Sequence, residues 1–131
     1  MANTVEETKE LLERLNDGAG IPFKVCLDVG HAPHPGDRDP YRWVRELGKA
    51  SPIIHIQQTE KDHSRHWPFT EEYNRIGIIH GEPLLAALEK SGAEEAEIVF
   101  EISHREAWGT EFRIVQDHIE SVNYWRQFIQ A

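Results

Sequence analysis

The strongest constraint in this sequence is the order in which helix-like and strand-like segments alternate. A helix is expected from about Thr4: Thr4 and Glu7 have capping-box spacing, and Val5, Thr8, Leu11, Leu12 and Leu15 keep to one face until Gly18 and Gly20 end it. FKVCLDV (23–29) then reads as a strand with apolar residues on both faces, as in parallel sheets. HAPHPGDRDP is a loop by its Pro, Gly and Asp content, and Asp39 can cap a helix through YRWVRELGKA with Pro40 in its first turn. The pattern repeats. PIIHIQ (52–57) is a short apolar strand, and a long polar loop runs from Gln58 to about Ile79. Pro83 opens a helix that stops at Gly92, and AEIVFEIS (96–103) is a third strand. After a short loop holding Trp108 and Gly109, Thr110 caps a final amphipathic helix whose stripe is Phe112, Val115, Ile119, Val122, Trp125 and Ile129.

The resulting order, α-βα-βα-βα, implies right-handed crossovers and a parallel sheet. Three parallel strands cannot close by themselves: both sheet edges and one sheet face stay open. The long loops follow strands, on the side where α/β barrels keep their chemistry, and 131 residues are about half of the roughly 250 that a complete barrel takes. The expected fold class is α/β, a partial (βα)8 TIM barrel forming one domain over residues 1–131.

Composition narrows the partners. Fourteen Lys and Arg against 23 Asp and Glu leave a formal charge of −9, which repels a phosphate backbone and argues against nucleic acid. No stretch approaches the roughly 20 apolar residues of a membrane span, and the N-terminus lacks a basic-then-apolar signal, so no membrane is expected. One cysteine, Cys26, makes neither an intramolecular disulfide nor a thiolate cage. The chain is expected in the cytoplasm.

The chemistry concentrates at strand ends. The first strand ends in Asp28 with His31 three residues on (LDVGH), the second carries His55 near its end (IIHIQQT), and the third carries Glu101 (IVFEISH). Neighbouring parallel strands lie about 4.8 Å apart, so groups at equivalent heights can converge on one ion. A carboxylate, an imidazole and a second carboxylate suit Mn²⁺, Mg²⁺, Co²⁺ or Zn²⁺. Taken singly, a strand-end Asp is often a cap and a strand His often a core residue. A Glu after Ile-Val-Phe is harder to dismiss, because burying an unpaired carboxylate costs several kcal/mol.

Asp-Val-Gly-His, His-Ile-Gln-Gln and Phe-Glu-Ile at successive strand ends resemble the last three βα units, strands 6 to 8, of the xylose isomerase-like TIM barrels. That superfamily holds sugar isomerases and epimerases, dehydratases of keto-sugars and AP endonucleases of family 2. The resemblance implies that Asp28, His55 and Glu101 are three of four metal ligands, with Mn²⁺ the first choice of ion. It implies that Glu101 is also a catalytic acid–base group, and that His31 is catalytic through contact with a substrate oxygen. Lys61 and Arg65 are candidates for a cation that holds a substrate hydroxyl, and the loop from Gln58 to Ile79 reads as a substrate lid in which Arg65 or Lys61 meets a hydroxyl or phosphate and Trp67 covers the sugar. Where the family usually has Asn or Gly then Asp after the histidine, this chain has Gln57 and Gln58.

The implied reaction is proton transfer next to the carbonyl of a ketose or ketose phosphate through an enediolate, giving isomerisation or epimerisation. The family's further glutamate, at the end of the fifth strand, has no counterpart: Glu6, Glu7, Glu10 and Glu13 have the spacing of a solvent-facing helix surface. The expectation is a half-barrel, natural or truncated, inactive alone, that associates with itself or with a missing N-terminal half. The competing readings are a non-catalytic half-barrel that folds by oligomerisation and a keto-sugar dehydratase. An AP endonuclease would need more His and Asp ligands and a basic surface.

Overall fold

The computed structural model describes residues 3–31, 38–104 and 111–129. The order is α1 (Val5–Asn16), β1 (Cys26–Asp28), α2 (Pro40–Leu47), β2 (Ile53–Ile56), α3 (Glu71–Asn74), α4 (Gly81–Ser91), β3 (Glu97–Phe100) and α5 (Glu111–Trp125). Short 3-10 turns follow β1 and α2. The strands form one parallel sheet in the order β1-β2-β3, with Leu27 opposite Ile54 and Ile54 opposite Ile98. This is the α/β architecture of a partial barrel.

Local chemistry sets the element ends. Thr4 Oγ1 accepts from the Glu7 N–H at 3.2 Å, while the Glu7 carboxylate takes the Asn3 N–H rather than closing a full box on Thr4. Asp39 caps α2 through the Tyr41 N–H at 2.9 Å with Pro40 in the first turn, as expected. Helix α4 starts at Gly81, two residues ahead of Pro83, and ends on Gly92 at φ 73°, a left-handed conformation glycine adopts without strain.

One core lies between the sheet and its helices. Leu27, Val29, Ile54 and Ile56 from the strands pack with Val44 and Leu47 of α2, Leu84 and Ala87 of α4, and Val5 of α1. Alternation along a strand sends the intervening side chains to the other face, where Cys26, Ile53 and Val99 are exposed. Among the described residues, then, this sheet face is open.

Two readings change. The segment from Gln58 to Ile79 is not a loose loop: it contains α3, and the buried Gln58 side chain ties its two ends. Gln58 Nε2 donates to the Ile79 carbonyl at 2.8 Å and Oε1 accepts from the Ile79 N–H at 2.9 Å. The segment also places Phe69 in the core, stacked on Tyr124 and edge-on to Trp125. That changes the final helix. Its buried side is Asp117, Ser121 and Trp125, whereas Phe112, Val115 and Ile119 of the expected stripe are exposed. The polar groups tolerate burial because each is paired: Ser121 Oγ accepts from the Phe69 N–H at 2.8 Å, and Asp117 meets His104 Nε2 at 3.0 Å and Arg113 Nε at 2.9 Å. The expected Thr110 cap, Trp108, Gly109 and the 32–37 part of the first rim loop lie outside the described residues. Among those described, no helix is long and apolar enough to cross a membrane.

Candidate metal centre

Asp28 is the last residue of β1 and His55 its register partner on β2. Glu101 lies one residue beyond β3, but its N–H still donates to the Ile56 carbonyl at 2.8 Å, so the ladder runs through it. Val99 is the register partner of His55, and Glu101, two residues on, shares its face. Asp28, His55 and Glu101 therefore stand on the helix-free face at the carboxyl ends of adjacent strands. One ligand atom from each lies within 4.8 Å of the other two.

The electrostatics of this trio are those of a proton held where a cation could sit. Burial, then the neighbouring Glu101 carboxylate, push the Asp28 carboxyl from its ordinary 3.8 up to about 7, against N–H groups of Gly30 and His31 that pull it down. Glu101 moves the other way: hydrogen bonding to Asp28 holds it below the usual carboxylate range, with help from His66, His31 and His55 and against its own desolvation. Without the shared proton, or an ion in its place, Glu101 Oε2 is a buried carboxylate oxygen with no hydrogen-bond partner among the described residues. His55 Nδ1 stands 3.6 Å from it. Two carboxylates and an imidazole around an orphaned oxygen fit a divalent cation of the Mn²⁺, Mg²⁺, Co²⁺ or Zn²⁺ class.

Around the trio the structure assembles a second layer. His31 Nε2 lies 3.1 Å from Asp28 Oδ2, and its Nδ1 is 2.9 Å from Ser64 Oγ. Burial lowers the His31 pKa, as does the nearby His66, while Glu101 raises it. His66, from the loop after β2, joins them: its Nδ1 donates to the Glu101 carbonyl at 3.1 Å and its ring meets His31 edge-on at 5.0 Å. His31, His66 and Glu101 form a second trio with donor atoms within 4.8 Å of one another. No spacing in the sequence links His66 to Glu101; the nearest signal is the density of histidines in the loop.

The remaining candidates lie along the loop. Arg65 pairs with Glu60, Nη2 to Oε1 at 2.6 Å, and sits 5.6 Å from the centroid of Trp67. Trp67 stacks on Tyr73 at 4.7 Å. Lys61 is exposed, and its carbonyl accepts from His63 Nδ1 at 3.1 Å. The structure thus brings Asp28, His31, His55 and Glu101 together and holds Arg65 and Trp67 in contacts of the loop itself.

No family model matches the chain. D-erythrulose 1-phosphate 3-epimerase of Brucella abortus (strain 2308) is 37% identical to it over 133 residues, covering 98% of this chain and 43% of the relative. A crystal structure of a provisionally assigned xylose isomerase from Rhodospirillum rubrum superposes with a TM-score of 0.79 at 21% identity, again over 98% of this chain and 43% of the other, and shows a shared fold. The chain spans less than half the length of these relatives. The shared fold and the sequence similarity support a relationship to a fragment of the xylose isomerase-like TIM-barrel superfamily.

Proposed function

We propose that this chain carries the metal-binding and substrate-binding side of a sugar isomerase or epimerase active site. The observation that supports it most is the convergence of Asp28, His55 and Glu101 at the rim of three adjacent parallel strands. These residues would hold one divalent cation, Mn²⁺ first, which supplies Lewis acidity toward neighbouring substrate oxygens when bound. Glu101 is the carboxylate placed to move the proton on the carbon beside a ketose carbonyl, with an enediolate as the sugar's intermediate. His31, half-exposed next to Asp28, is placed to hold a substrate oxygen. Lys61, exposed on the loop, is the cation we assign to a hydroxyl or phosphate; Arg65 would have to leave Glu60 to join it, and Trp67 is the aromatic cover.

The Brucella relative is named for a phosphorylated four-carbon ketose. A small ketose phosphate is accordingly the substrate we assign, with the cytoplasm as compartment. Among the described residues one sheet face is open and the outer edges of β1 and β3 pair with no strand. Both favour association with a second copy or with the remainder of a barrel, and the single chain is expected to turn over little or nothing. The exposed Ile53 and Val99 also favour a second reading, a half-barrel without catalysis.

Mn²⁺ titration followed by EPR tests the ion site. Asp28→Asn and Glu101→Gln should each weaken binding by more than about 10-fold, the lower end of what losing even a supporting partner of a metal ligand costs, with helix content unchanged. Equal affinity in the variants and the wild type would remove the site. Wash-in of deuterium at the carbon next to the carbonyl of a ketose phosphate separates the two readings, since a non-catalytic half-barrel gives none in any oligomeric state.

A further inference from the structure

We propose that Gln57 is the positioning residue for a pair of imidazoles, His31 and His66, that stands beside the ion site and meets its ligand. The geometry of the pair is independent of the proposed function; only the nature of what it meets rests on that reading. Gln57 follows β2 and is fully buried. Its Oε1 accepts from the His66 N–H at 2.6 Å and from the Ser64 hydroxyl at 3.4 Å, and Ser64 Oγ is in turn 2.9 Å from His31 Nδ1. One buried carbonyl oxygen therefore fixes the His66 backbone, from which that ring is hung, and reaches the His31 ring through a serine.

Two further features show that this arrangement is built. His66 has φ 55°, in the left-handed region that residues carrying a Cβ enter only at a cost, and the Gln57 contact and the Ser103 N–H on its carbonyl hold it there. Gly30 leaves the space that Gln57 fills: a Cβ at position 30 would lie 1.9 Å from Gln57 Cγ. The glycine of LDVGH and the first glutamine of IIHIQQ are thus complementary parts just beyond the ends of neighbouring strands. With Nδ1 of His66 committed to the Glu101 carbonyl, Nε2 is the nitrogen presented to a ligand oxygen, the orientation that a hydrogen bond from the other ring nitrogen gives a working histidine. The buried Gln57 Nε2, without a partner among the described residues, is a second polar atom left in this layer.

NMR on the metal-free, isotopically labelled chain tests the proposal. The wild type should show a cross-relaxation contact between the His31 and His66 rings and an Nδ1–H tautomer for His66. Gln57→Leu, which keeps bulk and removes the acceptor, should abolish the contact and average the tautomer, while Gln57→Glu, which retains an acceptor oxygen, restores both. A folded Gln57→Leu protein with the ring contact and tautomer intact would overturn the proposal. Should Gln57→Leu not fold, Ser64→Ala decides: loss of the fixed His31 tautomer with His66 unchanged supports the relay, and an unchanged His31 overturns it. None of these readouts uses a metal or a sugar, so failure to bind Mn²⁺ would count against the proposed function alone.

Discussion

The two faces of the sheet are made by alternate residues of the same strands and have opposite environments. On one face Leu27, Ile54 and Ile98 lie in register beneath α2 and α4, with Ile54 fully buried. On the other, Asp28 and His55 lie in register beside Glu101, and Ile53 is 37% exposed. The contrast separates what folds the chain from what it presents: the helix-covered face carries the hydrophobic core, and the open face carries charge in need of an ion, a proton or another surface. Substitution of consecutive residues breaks the comparison most sharply. Ile54→Ala should cost about 2–5 kcal/mol, the range for emptying a packed aliphatic site. Ile53→Ala, one residue away, should stay within about 0.5 kcal/mol, as exposed substitutions do. Urea unfolding of both checks this, and equal losses would mean that the open face is covered in solution.

The next effect is on pH. In the metal-free chain Asp28 keeps its proton up to about pH 7 in the folded state, whereas in the unfolded chain it loses it near 3.8. Between those values the folded state binds more protons than the unfolded one, so Asp28's contribution to stability is complete below about pH 4 and is lost as pH rises to 7. Glu101 has the opposite sign, but its depressed pKa acts below its ordinary 4.5, outside the upper part of that window. The melting temperature of the metal-free protein should therefore drift down from pH 5 to 7. Saturating Mn²⁺ should reverse the slope, because the ion displaces the Asp28 proton and binds more tightly as pH rises. Asp28→Asn should flatten both slopes. A metal-free slope that survives in Asp28→Asn would assign it elsewhere.

These differences also explain what the sequence could reveal. The parallel sheet, the βα order and the convergence of Asp28, His55 and Glu101 are legible because strand period and strand order are local patterns, and register follows once the sheet is parallel. The partners of Arg65 and Trp67 are contacts within one folded loop, and composition could not choose between Glu60, Tyr73 and a substrate. His66 and Gln57 were opaque for a different reason. Their relation depends on the space above Gly30 and on a left-handed backbone turn, neither of which has a sequence period. In α5 the periodic signal found the buried Trp125 but not the side buried further along the helix, because Phe69 arrived from the long loop and packed against Ser121 and Trp125, leaving Phe112, Val115 and Ile119 exposed.

The displaced stripe of α5 gives the smallest predicted effect. Phe112 is 80% exposed and Val115 58% exposed, so in a lone chain Phe112→Ser should change stability by no more than about 0.5 kcal/mol. Burial of that ring against a second copy would remove apolar surface worth about 25 cal/mol per Å², and the substitution would then weaken association instead. Light scattering over a concentration series, run beside urea unfolding, distinguishes the two. If stability and mass are both unchanged, the stripe is solvated surface, and association through the open sheet face must be sought at Ile53 and Val99. A fall in mass at constant monomer stability would instead place α5 in the contact, on the helix side of the sheet, leaving the rim with Asp28, His55 and Glu101 accessible.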